Sequence, residues 1–225
     1  MGPTLKQIQK TWPNDVRIVF KNNALSFHNR AKPAAIAALA AANQGKFWEY
    51  HDKLFANSRA MTDENLAKWA GEVGLDIAKW KKDIANPALA KQIDNEQKAA
   101  VALGQGGTPA FLINGKALSG AQPFPKFKAV IEAELKEADK LIAGGKKAAD
   151  VHQLRARANL GAKASIYWDS LVNGKAAKGA APAARKPRKP RPVDPTVWKV
   201  EVQGHEPIHG KKDALVTLVT WSDFQ

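Results

Sequence analysis

Few residues in this chain could do chemistry, and they are scattered. Histidines stand at positions 28, 51, 152, 205 and 209, and the 225 residues include no cysteine. That absence excludes structural disulfides, thiolate nucleophiles and cysteine-ligated zinc. His205 and His209 are four apart, but Gly204, Pro207 and Gly210 surround them, and the segment reads as a solvated loop. No metal site and no cofactor are assigned. Ser165 and Ser170 have no visible partner base, so a hydrolase triad is unsupported. No catalytic residue is assigned.

The most informative internal run is Gly106-Gly107-Thr108-Pro109-Ala110-Phe111-Leu112-Ile113-Asn114-Gly115. Its glycines break a helical pattern, 110–113 reads as a strand, and Asn114-Gly115 is a strong two-residue hairpin turn. Residues 116–119 read as the returning strand. Upstream, 4–10 reads as helix, Pro13-Asn14-Asp15 as a turn, and β-branched 16–20 as a strand. A helical block spans about 32–104. Asn43-Gln44-Gly45 ends one helix, and Thr62, Asp76 and Asn86 cap others, with Pro87 at a first helical position. A last long helix, about 124–143, places Phe127, Val130, Ile131, Leu135, Ala138, Leu141 and Ile142 on one stripe.

Seven Trp and eight Phe can form a substantial core. No apolar run is long enough to span a membrane, and the first residues lack the apolar stretch of a signal peptide. The expectation is either a removed signal or an internal piece of a longer protein. Between residues 140 and 191, thirteen Lys/Arg stand against Asp150 and Asp169, supplying +11 of the net +14. The expected organisation is 1–144 as a compact α/β unit, 145–174 as a helical extension, 175–196 as a basic Pro/Ala-rich linker, and 197–225 as a β segment. Ile166, Trp168, Leu171 and Val172 are the extension's expected docking residues. The linker cannot bury apolar area. Residues 197–202 alternate like a strand, 205–213 reads as turn, and 215–221 as a strand buried on both faces.

Several motifs together resemble the DsbA-like thioredoxin-fold family of thiol–disulfide oxidoreductases. They are the 106–115 run, the segment from Asn23 through His28 and Pro33 to Ala35, the segment from Gly45 through Trp48-Glu49-Tyr50-His51 to Phe55, and the last strand with Trp221-Ser222-Asp223-Phe224-Gln225. The resemblance implies a thioredoxin-like fold with an inserted helical subdomain at about 32–104 and a cis-proline at Pro109. It implies substrate binding at Thr108, Pro109, Phe224 and Gln225. It also implies unfolded or cysteine-containing proteins or peptides as partners, in the bacterial periplasm or cell envelope.

The order of the motifs departs from the family. Residues 2–8 resemble the helix that follows the family's Cys-x-x-Cys motif, and 221–225 the segment that precedes it. A circular permutation, or a piece cut from a tandem protein, accounts for this. Without strand 215–221, strand 16–20 would face a gap in the sheet, so the last strand is expected to complete it, in the same chain or by swapping. The linker, about 65 Å long if extended, permits the first. Thr220 stands where many relatives carry a buried Glu. Thiol–disulfide exchange needs a thiolate, so this cysteine-free chain is expected to be redox-inactive. The alternatives are a polyanion- or nucleic-acid-binding module acting through Arg185-Lys186-Pro187-Arg188-Lys189-Pro190-Arg191-Pro192, or a strand-swapped assembly unit forming a homo-oligomer.

Overall fold

The computed structural model describes residues 2–167, 169, 207–211 and 213–224. The basic linker, the 197–202 segment, His205, Gln225 and the side chains of Ile166, Trp168, Leu171 and Val172 lie outside the described residues.

Five strands form one mixed sheet: β1 (Val16–Asn22), β2 (Ala110–Ile113), β3 (Lys116–Ser119), β4 (Ile208–His209) and β5 (Val216–Ser222), in the order β3-β2-β5-β1-β4. β5 therefore occupies the middle of the sheet of its own chain. It runs parallel to β1, with Val16 opposite Val216 and Asn22 opposite Ser222. It runs antiparallel to β2, with Ala110 opposite Trp221. All seven residues of β1 and the first six of β5 are buried. Central strands covered on both faces lose the apolar–polar alternation of an edge strand, which is why 216–221 reads as one apolar run.

The alternation survives in which neighbours each residue meets. Val16, Ile18, Phe111, Ile113, Val216 and Leu218 pack with Ile8 of α1 (Gly2–Thr11) and with Phe127 and Ile131 of α7 (Phe124–Ala143). Val19, Ala110, Leu112, Val219 and Trp221 face the other way, against Ala99 and Ala100 of α6 (Pro87–Ala102). Each large apolar side chain so buried contributes about 1.5–3 kcal/mol.

A second core joins Phe20 and Phe224 to α2 (Ala31–Ala42), α3 (Phe47–Ala56), α4 (Asp63–Glu72) and α5 (Ile77–Ile84). The caps form as the sequence dictates. Thr62 accepts from the Asn65 amide, Asp76 from Lys79 and Asn86 from Ala88. Asn114 (φ 43°) and Gly115 (φ 91°) make the turn between β2 and β3.

Two details differ from the sequence reading. Residues 208–209, expected in a turn, form β4 against β1. The approach is tight enough that a Cβ on Gly210 (φ 119°) would lie 2.6 Å from the Val16 carbonyl oxygen. The α7 stripe buries Phe127, Ile131 and Ala138 as expected, but also Glu134, while Ile142 is 40% exposed. Glu134 can be buried because Arg155 and Lys116 supply its counter-charge. The extension docks through α8 (Ala148–Leu160), which buries Val151, His152, Ala156 and Leu160.

Candidate functional site

β1 and β5 are parallel, so their carboxyl ends emerge together at one edge of the sheet. Ligands of α/β proteins bind outside such ends. β2 runs the other way and brings its entry loop to the same edge. Continuing the β2–β5 register from Ala110 opposite Trp221 puts Thr108 opposite Asp223. The Thr108 hydroxyl accordingly lies 3.5 Å from Asp223 Oδ1. The Thr108–Pro109 bond is cis, as the motif implies. Thr108 and Pro109 are half-buried and Gly107 is exposed, with nothing within 4 Å of where a Cβ would stand.

Asp223 is buried and its second oxygen has a stronger partner. Oδ2 lies 2.7 Å from Nδ1 of His28, whose side chain is 28% exposed. A carboxylate only accepts, so Nδ1 carries the proton and donates. His28 arrives on the loop between β1 and α2, with the 73%-exposed Phe27 ring edge-on at 4.5 Å.

Phe224 turns the other way. It is fully buried, stacked on Phe20 at 5.5 Å, tilted against Phe55 at 5.1 Å, with His51 at 5.9 Å. It therefore anchors the exit of β5, and its ring is not open to a ligand. His51 is enclosed by Phe20, Phe47, Trp48 and Phe55 as well. This burial pushes its pKa down, against the opposing pull of Asp52, whose Oδ1 lies 3.1 Å from Nδ1. Asp52 also takes the Lys6 ammonium at 2.9 Å, so α1 and the end of β5 meet on α3. Burial pushes the Asp52 pKa up, and the bonds from Lys6 and His51 outweigh it, leaving it lowered.

Beneath the edge, Lys21 and Glu96 form a buried pair at 3.6 Å, and Glu96 Oε2 accepts both N–H groups of Asn22 at 2.8 Å. Asn23 donates toward the carbonyls of Gln105 and Gly107, tying the β1 exit to the β2 entry loop. Of the residues picked from sequence, Thr108, Pro109 and Phe224 thus gather at one edge, and Gln225 lies outside the described residues. His28 and Asp223 were missed as a pair, since 195 positions separate them. Among the described residues no group of three or more His, Asp or Glu could hold a metal ion, and no helix is long and apolar enough to cross a membrane.

The comparisons with known proteins fit this geometry. A family model described as the DSBA-like thioredoxin domain matches residues 3–132, more than half of the sequence. The chain belongs to the DSBA-like thioredoxin family. The family match takes in β1, the helical block and the β2–β3 hairpin, while α8 and β5 lie beyond it. Among curated proteins, this DSBA-like chain is 36% identical over 120 residues to a Na(+)/H(+) antiporter NhaA of Herminiimonas arsenicoxydans, covering 53% of the chain and 19% of that protein. It is 32% identical over 132 residues to the Na(+)/H(+) antiporter NhaA 3 of Salinispora tropica, covering 58% of the chain and 20% of that protein. The chain thus spans about a fifth of the length of the curated relatives it matches. No solved structure matches it.

Proposed function

We propose that this DSBA-like chain is a thiol-free scaffold that binds extended peptide segments, cysteine-containing ones included, at the edge formed by Thr108, Pro109 and the exit of β5. The observation that carries the reading is the placement of Thr108 opposite Asp223 where β1 and β5 end, in a sequence without cysteine. The 107–109 backbone leads into β2, so an extended peptide alongside it would use the sheet's own hydrogen-bonding pattern. Side-chain selectivity would come from the neighbouring loops. Without a thiolate the chain cannot exchange disulfides by itself. Residues 1–144 with 197–225 make one thioredoxin-like unit in this reading, permuted relative to the family, and the family resemblance supports a location in the bacterial envelope.

Binding of a fluorescent, alkylated unfolded-protein peptide tests this. Saturable binding is expected, with the exposed Gly107→Arg substitution weakening it at least about tenfold (~1.4 kcal/mol). No binding by the unsubstituted chain overturns the reading. Insulin reduction should stay at background, and turnover would overturn the claim of redox inactivity.

A further inference from the structure

Asp223 is the junction of the edge. One oxygen meets Thr108, where the peptide would lie, and the other holds His28. An imidazole whose Nδ1–H is held by a buried carboxylate keeps its basic lone pair on Nε2, and the carboxylate stabilises the imidazolium that forms when Nε2 takes a proton. Among the described residues Nε2 has no hydrogen-bond partner, and the ring is partly open to solvent. Other charged groups nearby are engaged elsewhere. Arg30 pairs with Asp63 and donates to the Met61 carbonyl, Lys32 pairs with Asp94, and on α3 His51 and Asp52 face Phe224 and Lys6. The Phe27 ring shields one side of the imidazole.

We infer that His28 and Asp223 form a proton-accepting dyad that ionises a cysteine thiol carried by the peptide at the Thr108 edge. This rests on the peptide-binding reading above. In the step, the S–H bond of the peptide cysteine breaks and its electron pair stays on sulfur. The proton bonds to Nε2 of His28, giving a thiolate and an imidazolium paired with Asp223. No electrons change hands, so no oxidant or reductant is needed. His28 is the residue in contact with the thiol, and Asp223 is a positioning residue. The scaffold thereby lends a substrate cysteine the reactivity that its own sequence lacks.

The absence of cysteine makes the test clean, because a single-cysteine peptide supplies the only thiol in the sample. Its ionisation is followed by NMR of an isotope-labelled Cβ, free and with saturating protein, across pH. A neighbouring imidazolium should lower the thiol pKa by about one unit, raising the thiolate fraction at neutral pH up to about tenfold. At peptide concentrations that saturate each variant, His28→Gln and Asp223→Asn should both return the thiol titration to that of the free peptide. Binding with an unshifted thiol titration, or a shift that survives in His28→Gln, overturns the inference and leaves the groove standing. Absence of binding overturns the groove reading and this inference with it.

Discussion

Glu134 and Arg155 meet through two hydrogen bonds, Nε to Oε2 at 3.0 Å and Nη2 to Oε1 at 2.9 Å, with the Glu134 side chain wholly inaccessible to solvent. This clamp fastens α8 to α7. Lys116 adds an ion pair at 3.1 Å, and Asn159 binds the carbonyl of Asn114 at 3.0 Å. Asn114 in turn accepts the amide of Thr217 at the start of β5. The extension is thus wired to the central strand through side chains.

Removing one partner of a buried pair strands the other charge, which costs about 3–5 kcal/mol. Arg155→Ala should fall near the lower end, because Lys116 still faces Glu134. Urea unfolding monitored by tryptophan fluorescence measures it. Replacing Glu134 and Arg155 together by Met should cost much less than Arg155→Ala alone, since neither charge is then orphaned.

His51 makes stability depend on pH in a defined direction. Its folded pKa lies below the ordinary histidine value because burial among aromatic rings opposes the charged form. The unfolded chain therefore binds this proton first. The stabilising contribution is present in full above the unfolded pKa and is lost as pH falls through the folded pKa. His51→Phe should flatten that part of the curve. Unfolding midpoints between pH 7.5 and 5, compared for the two proteins, supply the check.

Phe224 holds the exit of β5 in the second core. Phe224→Ala removes a fully buried ring in contact with Phe20 and Phe55, and should cost about 3–5 kcal/mol. Tether length governs where β5 goes. Cutting the 175–196 linker to a few residues should stop β5 reaching its own sheet and force exchange into dimers. Light scattering reads the outcome, and a shortened chain that stays monomeric would count against it.

Charge should dominate contact with polyanions. Deleting residues 175–192 removes Lys175, Lys178, Arg185, Lys186, Arg188, Lys189 and Arg191. Retention on heparin at low salt should drop sharply, and the salt dependence of any duplex DNA binding should flatten. Undiminished retention would point to the globular surface.

Much of the fold was legible because its signals are local. The caps at Thr62, Asp76 and Asn86, the Asn114-Gly115 turn and the unbroken apolar run of β5 each lie within a few residues of what they determine. What stayed hidden depends on partners far away in sequence. Glu134 reads as a polar interruption of an apolar stripe until Arg155 and Lys116 are seen around it. His28 reads as a loop histidine until the sheet register brings up Asp223. β4 is two residues long, too short for periodicity, and only the close approach at Gly210 marks it. Thr108, Pro109 and Phe224 were found as a group, but Phe224 was assigned to substrate, whereas its ring is spent on the core.

The central position of β5 also sets the order in which this protein can fold. Val16 pairs with Val216 across two hundred positions, and β1 and β2 make no ladder with each other. Until β5 inserts, the sheet exists as separate pieces, β1 on one side and the β2–β3 hairpin on the other. Such distant pairing carries a large loop-closure cost before any contact rewards it. The helical cluster can collapse early on its own short connections, while the sheet waits for its middle strand. Refolding should therefore be biphasic, with helical signal recovering before the part of the tryptophan fluorescence that Trp221→Phe removes, the part that reports β5 entering its slot.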